Sequence, residues 1–273
     1  MPAVRWSGAD GACAIATLQG AQLVSWVLPS GEECLYMSER SAYEAGRAIR
    51  GGIPVCFPQF ADRGPLAQHG FARTLDWSHV ADAQGDGEGG ARFVLESTPR
   101  TRSLWPHDFR IELIATIGGP RLEVRLRVSN VGEDAFTFTA ALHTYLRVWN
   151  LVEARVHGLK GLRYLTRGES ATQIETREAV TAIEPVDRVY FAAPRETRLE
   201  DTGRALRIGQ QGFTDTVVWN PGAVRTAQMA DMPPEGYRRM LCVEAAAVDP
   251  PVVLAPGADW TGVQWLEALP APV

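Results

Sequence analysis

Residues 121–129 read R-L-E-V-R-L-R-V-S, with Leu122, Val124, Leu126 and Val128 at every second position and polar residues between them. An extended chain turns successive side chains to opposite sides, so this alternation predicts a strand with one buried and one wet face. The same period runs through R-F-V-L-E-S (92–97), F-R-I-E-L-I-A-T-I (109–117), F-T-F-T-A-A-L-H-T-Y-L-R-V (136–148), E-A-R-V-H-G-L (153–159) and M-L-C-V-E-A-A-A-V (240–248). R-L-E-D-T-G-R-A-L-R-I (198–208) predicts a hairpin turning at Asp201-Thr202-Gly203. Helical spacing is scarce: S-A-Y-E-A-G-R-A-I (41–49) and R-E-A-V-T-A-I (177–183) each predict one or two turns. Many short strands separated by turn signals predict an all-β fold, a large antiparallel sandwich or barrel with few short helices. The acidic, glycine-rich stretch 81–90 reads as a hairpin loop between strands, so residues 1–273 are expected to form one domain.

Composition narrows the function. The chain has 273 residues, 45% of them hydrophobic, which is enough to bury a substantial core. A net charge of −5 argues against a nucleic-acid groove or an anionic membrane as the main partner, so any basic site must be local. Lys160 is the only lysine among 27 basic residues, and an arginine-rich codon usage accounts for that without a function. The four cysteines form no C-x-x-C pair and no zinc spacing; Cys56 and Cys242 lie in apolar runs and are expected to be buried thiols. The N-terminus carries no apolar signal core and no run reaches 18 apolar residues, so a cytoplasmic protein, monomeric by default, is expected.

A few residues break the apolar pattern. His143 shares a strand side with Tyr145 and Arg147; it is either a histidine satisfied within the sheet or a proton donor, since imidazole titrates near neutral pH. Glu244 is the only charge in M-L-C-V-E-A-A-A-V. A carboxylate there is expected to be at least partly buried, either paired with an arginine or serving as a general base. In G-P-L-A-Q-H-G-F-A-R (64–73), an extended chain would point His69 and Arg73 the same way, roughly 7 Å apart. Arg50, followed by Gly51-Gly52, could set a guanidinium beside free backbone N–H groups, an arrangement that suits an oxyanion. Two arginines suit a phosphate, although pairing with surface carboxylates explains them as well. Asp187 and Asp215 each begin a strand, where a turn or cap role is the default; both are also carried as candidate substrate contacts. There is no phosphate-binding G-x-x-x-x-G-K-[ST], no G-x-G-x-x-G after a strand and no G-x-S-x-G.

The segments I-R-G-G-I-P-V-C-F-P-Q-F (49–60), G-P-L-A-Q-H-G-F-A-R (64–73), A-L-H-T-Y-L-R-V (141–148), D-R-V-Y (187–190), D-T-V-V-W-N-P (215–221) and M-L-C-V-E-A (240–245) run in order over some 200 residues. Together they resemble the aldose 1-epimerase (mutarotase) superfamily, and within it the hexose-6-phosphate mutarotases. The resemblance implies a galactose-mutarotase-like β-sandwich that interconverts the anomers of a sugar phosphate, with no metal or organic cofactor. It puts the proton donor on His143 and the base on Glu244; an ionised Glu244 and a protonated His143 would supply both proton transfers at neutral pH. It puts substrate contacts on Arg50, Gln68, Arg73 and Asp187, with His69 assisting. Two positions depart from the family: Ala61 where glycine is frequent, and Gly222 where an aromatic is frequent. A non-catalytic carbohydrate-binding sandwich and a two-carboxylate glycosidase are the alternatives; for the latter, only Glu244 looks placed.

Overall fold

The computed structural model describes residues 1–81 and 89–270. The alternating segments form strands in two large antiparallel sheets. Nine strands make one sheet, in the order 179–180, 155–157, 196–201, 204–211, 259–269, 121–130, 109–118, 89–96 and 78–81. The second contains 173–174, 163–166, 186–190, 215–220, 240–254, 136–142 and 55–56, with 145–147 also paired to 240–254. Strands 3–7, 13–17 and 23–27 form a small third sheet. The predicted hairpin is present, with strands Glu196–Asp201 and Arg204–Gln211 meeting at Thr202-Gly203.

The inward faces of the large sheets share one core. Ile111, Leu113, Leu122, Val124 and Leu126 meet Phe138, Leu142, Leu241 and Val243 there. The central strand Met240–Leu254 is covered on both sides, which is why it reads as a near-continuous apolar run. Leu241, Val243 and Ala245 enter the main core, while Met240, Cys242 and Ala246 join a second cluster with Tyr145, Val217 and Trp219 on the opposite face. Period two therefore turns Glu244 to that opposite face. One polar tie crosses the main core: Thr144 Oγ1 bonds Gln264 Oε1 at 2.5 Å, and Gln264 Nε2 donates to the Val243 carbonyl at 3.1 Å.

Several local expectations are corrected. Residues 41–49 form turns, and 177–183 contribute the short strand Ala179–Val180; neither is helical. The helices are Pro99–Leu104, capped by Thr98, and Gly222–Thr226. Segment 136–148 is two strands, interrupted at His143 and Thr144. H-G-F-A-R is not extended: His69 has φ +67°, and Ala72–Thr74 is a 3₁₀ turn. Of the expected loop at 81–90, residues 82–88 lie outside the described residues. None of the described helices is long and apolar enough to cross a membrane. Cys56 and Cys242 are fully buried free thiols, as expected.

Candidate active site

Glu244 opens into a cavity of about 310 Å³ on the far face of the second sheet. His143 reaches the same cavity from the break between strands, where its backbone N–H donates to the Pro54 carbonyl at 2.9 Å. Its ring stacks on Tyr145, with centroids 4.8 Å apart and an 11° interplanar angle, and Trp219 meets it edge-on at 5.7 Å. These aromatics fix the imidazole beside the carboxylate: His143 Nδ1 lies 3.2 Å from Glu244 Oε1. The two groups are close but not aligned, and among the described residues neither His143 Nδ1 nor Glu244 Oε2, both buried, has a hydrogen-bond partner. Unsatisfied buried polar atoms are unfavourable, so a facing pair of them marks a place where a ligand completes the bonding.

Burial sets the protonation of this pair. It pushes the Glu244 carboxyl well above its usual range, with the nearby Asp187 charge adding to the effect and Arg73 opposing it. It also pulls His143 well below its usual 6.5, helped by the Arg73 and Arg50 charges. Both shifts favour the neutral pair over the ion pair. The expected ionised Glu244 beside a protonated His143 is the arrangement that burial disfavours, because it penalises charge. Both arrangements carry the same single proton.

His69 is a different kind of group. Its Nδ1 accepts the Ala61 backbone N–H at 3.2 Å and lies 3.1 Å from Cys56 Sγ. An amide N–H can only donate, so Nδ1 is an acceptor and the ring proton sits on Nε2, 3.3 Å from the Gln68 side-chain amide, which accepts it with the amide oxygen turned toward the ring. Burial and the surrounding arginines lower its pKa to about 3, so His69 stays neutral. Its ring stands 5.3 Å from that of His143. Ala61, at φ +50°, occupies a conformation that favours glycine, which accounts for glycine being frequent there. Gly222 has φ +65°, and a Cβ there would fall 2.5 Å from Pro185 Cγ, so an aromatic requires the neighbouring loop to move.

Arg50, Gln68, Arg73 and Asp187 all line the cavity. Arg50 Nε donates to Asp231 Oδ2 at 3.1 Å and Nη1 to Tyr145 OH at 2.9 Å. Burial opposes the Arg50 charge, but these partners outweigh it and hold the guanidinium above its ordinary range. Of the glycines after Arg50, Gly52 does not present a free N–H: it donates to the Tyr36 carbonyl at 2.8 Å, and a Cβ on Gly52 would lie 2.0 Å from the Leu23 carbonyl oxygen, and one on Gly51 2.4 Å from the Tyr36 carbonyl oxygen. They permit close packing instead. Arg73 Nη2 donates to the Gln68 carbonyl at 2.8 Å. Asp187 is paired with Arg225 at 3.2 Å.

Asp215 is not brought to the cavity. It is fully buried, and its carboxylate accepts backbone N–H groups of Val248 at 2.8 Å, Asp249 at 3.0 Å and Ala192 at 3.4 Å. Its oxygens are committed to the fold. Asp231, which helps to aim Arg50, and the cavity-lining Asp62, Arg167 and Arg225 escaped the sequence reading. Their signal is purely spatial, since nothing in their local patterns sets them apart. Among the described residues, His143, Cys242 and Glu244 hold ligand-type atoms within 4.8 Å of one another. Burial keeps the Cys242 thiol well above its usual range.

An antiparallel sandwich with an imidazole and a carboxylate side by side in a sugar-sized cavity fits the class of carbohydrate epimerases. The aldose 1-epimerase family model matches residues 2–267, and the chain belongs to that family. A protein of Cenchrus ciliaris, whose name proposes a glucose-6-phosphate 1-epimerase, is 36% identical over 97% of this chain and 84% of its own length. A similarly named protein of Escherichia coli is 36% identical over 84% of this chain and 78% of its own length. A crystal structure of a mutarotase candidate from Salmonella typhimurium superposes with a TM-score of 0.88 at 30% identity, covering 95% of this chain and 88% of that one. The fold is the galactose-mutarotase-like sandwich that the resemblance implied, and the protein is an isomerase of this family.

Proposed function

We propose that the protein interconverts the α and β anomers of glucose 6-phosphate and related hexose 6-phosphates, with His143 and Glu244 as the proton-transfer pair. The observation that carries this is the pair of unpartnered buried atoms, His143 Nδ1 and Glu244 Oε2, in a cavity walled by arginines. The names of the relatives support the phosphorylated substrate.

Mutarotation opens a hemiacetal and recloses it on the other face. One group must take the C1 hydroxyl proton while another donates to the ring oxygen. Sugar hydroxyls that donate to Glu244 stabilise its carboxylate, and the proton then resides on His143, 3.2 Å away. Glu244 takes the C1 hydroxyl proton, His143 protonates the ring oxygen, and the C1–O5 bond breaks to leave an aldehyde. Rotation about C1–C2 exposes the other carbonyl face. The O5 hydroxyl attacks C1 and returns its proton to His143, while Glu244 protonates the new C1 oxygen. No net proton is consumed. Neutral His69 and Gln68 contact sugar hydroxyls, Asp187 accepts from another, and Arg50 and Arg73 hold the phosphate so that the opened chain does not escape.

NMR exchange between anomers tests this directly. Enzyme-dependent exchange is expected to be much faster for glucose 6-phosphate than for glucose. No acceleration over buffer for either sugar would refute the activity, and equal acceleration of both would refute the phosphate preference.

A further inference from the structure

The cavity arginines differ in how firmly their charges are committed. Arg50 is tied to Asp231, which is 27% exposed, and to Tyr145. Arg225 is tied to Asp187, which is 29% exposed, and lies over the Trp219 ring. Arg167 is held differently. Its backbone N–H donates to the Asp187 carbonyl at 2.9 Å, which anchors the residue just beyond strand Arg163–Thr166. Its guanidinium crosses the cavity mouth to Asp62 on the opposite loop at 3.0 Å, and Asp62 is 68% exposed. Both residues line the cavity.

An ion pair this exposed contributes roughly 0–1 kcal/mol, so exchanging the partner is nearly free. A phosphate dianion offers more charge than a carboxylate and a set of oxygens matched to the guanidinium fork. A neutral sugar offers neither. Arg167 also acts electrostatically on both His69 and Asp187 inside the cavity, so its charge is felt where the substrate sits.

We propose that Arg167 is a phosphate-binding, specificity-determining residue, and that Asp62 is the counter-ion the substrate phosphate displaces. The inference rests on the phosphosugar reading above and extends it to a further arginine of the same cavity. Asp62 thereby makes the empty site self-neutralising and acts as a competitor for the substrate, so its removal tightens binding.

The test is steady-state anomer exchange with glucose 6-phosphate and glucose for the wild type, Arg167→Gln, Asp62→Asn and Arg73→Ala. Arg167→Gln is expected to raise KM for glucose 6-phosphate about tenfold, the equivalent of one lost charge-assisted contact, without raising KM for glucose. Asp62→Asn is expected to move KM for glucose 6-phosphate the other way, about two- to threefold lower. A misfolded Arg167 variant could not produce that opposite shift at Asp62. If Arg73→Ala raises KM and the other two leave it unchanged, the Arg167 assignment falls while the phosphate site stands. If wild-type enzyme shows no preference for the phosphorylated sugar, the underlying reading falls as well.

Discussion

Replacing Glu244 with glutamine should abolish catalysis and stabilise the protein in the same step. Glutamine keeps the shape of the side chain but cannot accept the C1 proton, and a positioned base contributes on the order of 10²–10⁴-fold. Stability moves the other way because the native site holds the Glu244 carboxyl well above its usual 4.5, through burial. A carboxyl with a raised folded-state pKa favours folding in its protonated form. That contribution is fully present below pH 4.5 and is lost as pH rises toward the folded value. At pH 7 the penalty is bounded by the interval between 4.5 and 7, which at about 1.4 kcal/mol per pH unit is at most about 3–4 kcal/mol. A buried glutamine amide can also donate to the orphaned His143 Nδ1. The assays are anomer exchange and denaturant unfolding at pH 4 and pH 7. Glu244→Gln is expected to be inactive at both, to match the wild type in stability at pH 4, and to exceed it at pH 7. A variant that keeps most of its activity with an intact fold would remove Glu244 from the chemistry. A stability difference that does not grow between pH 4 and pH 7 would refute the account of its protonation.

The active pair holds one proton, and burial opposes both adding a second and removing the last, so kcat should be flat across neutral pH, with its acid limb displaced below the ordinary imidazole value of 6.5; an acid limb at or above 6.5 in a pH–rate profile contradicts this. Asp215→Ala leaves three backbone N–H groups without their acceptor and should cost about 1–3 kcal/mol in denaturant unfolding, while KM for glucose 6-phosphate stays unchanged. Asp231→Asn loosens the Arg50 guanidinium and should raise KM with little change in kcat, as read from steady-state exchange. Gly52→Ala forces a Cβ within 2.0 Å of the Leu23 carbonyl oxygen at a residue with φ +63°, and should lower the thermal midpoint by several degrees or prevent folding.

Period two along the chain was enough to place the main strands, to turn Leu241 and Val243 away from Cys242 and Glu244, and to single out Glu244 as a charge in an apolar run. Those features are local: strand alternation is a property of consecutive residues, and an unpaired charge among apolar neighbours is conspicuous wherever the strand ends up. The helical reading of 41–49 and 177–183 failed because short apolar spacings do not distinguish a turn or a two-residue strand from one helical turn. Extended geometry was likewise wrong for H-G-F-A-R, where the left-handed His69 bends the chain and sets its ring against Ala61 and Cys56. What only the tertiary structure decided is which of many similar arginines and carboxylates share a cavity. Asp215 looked like Asp187 in its strand-initial position, yet one spends its oxygens on backbone N–H groups and the other faces the cavity. Arg50 meets Asp231 across 181 residues, and Arg167 meets Asp62 across 105. Pairings at such separations depend on how the sheets stack and the loops cross, and no local pattern encodes them. The same stacking buries His143 beside Glu244, and that burial, rather than either residue's identity, is what disfavours charge on both.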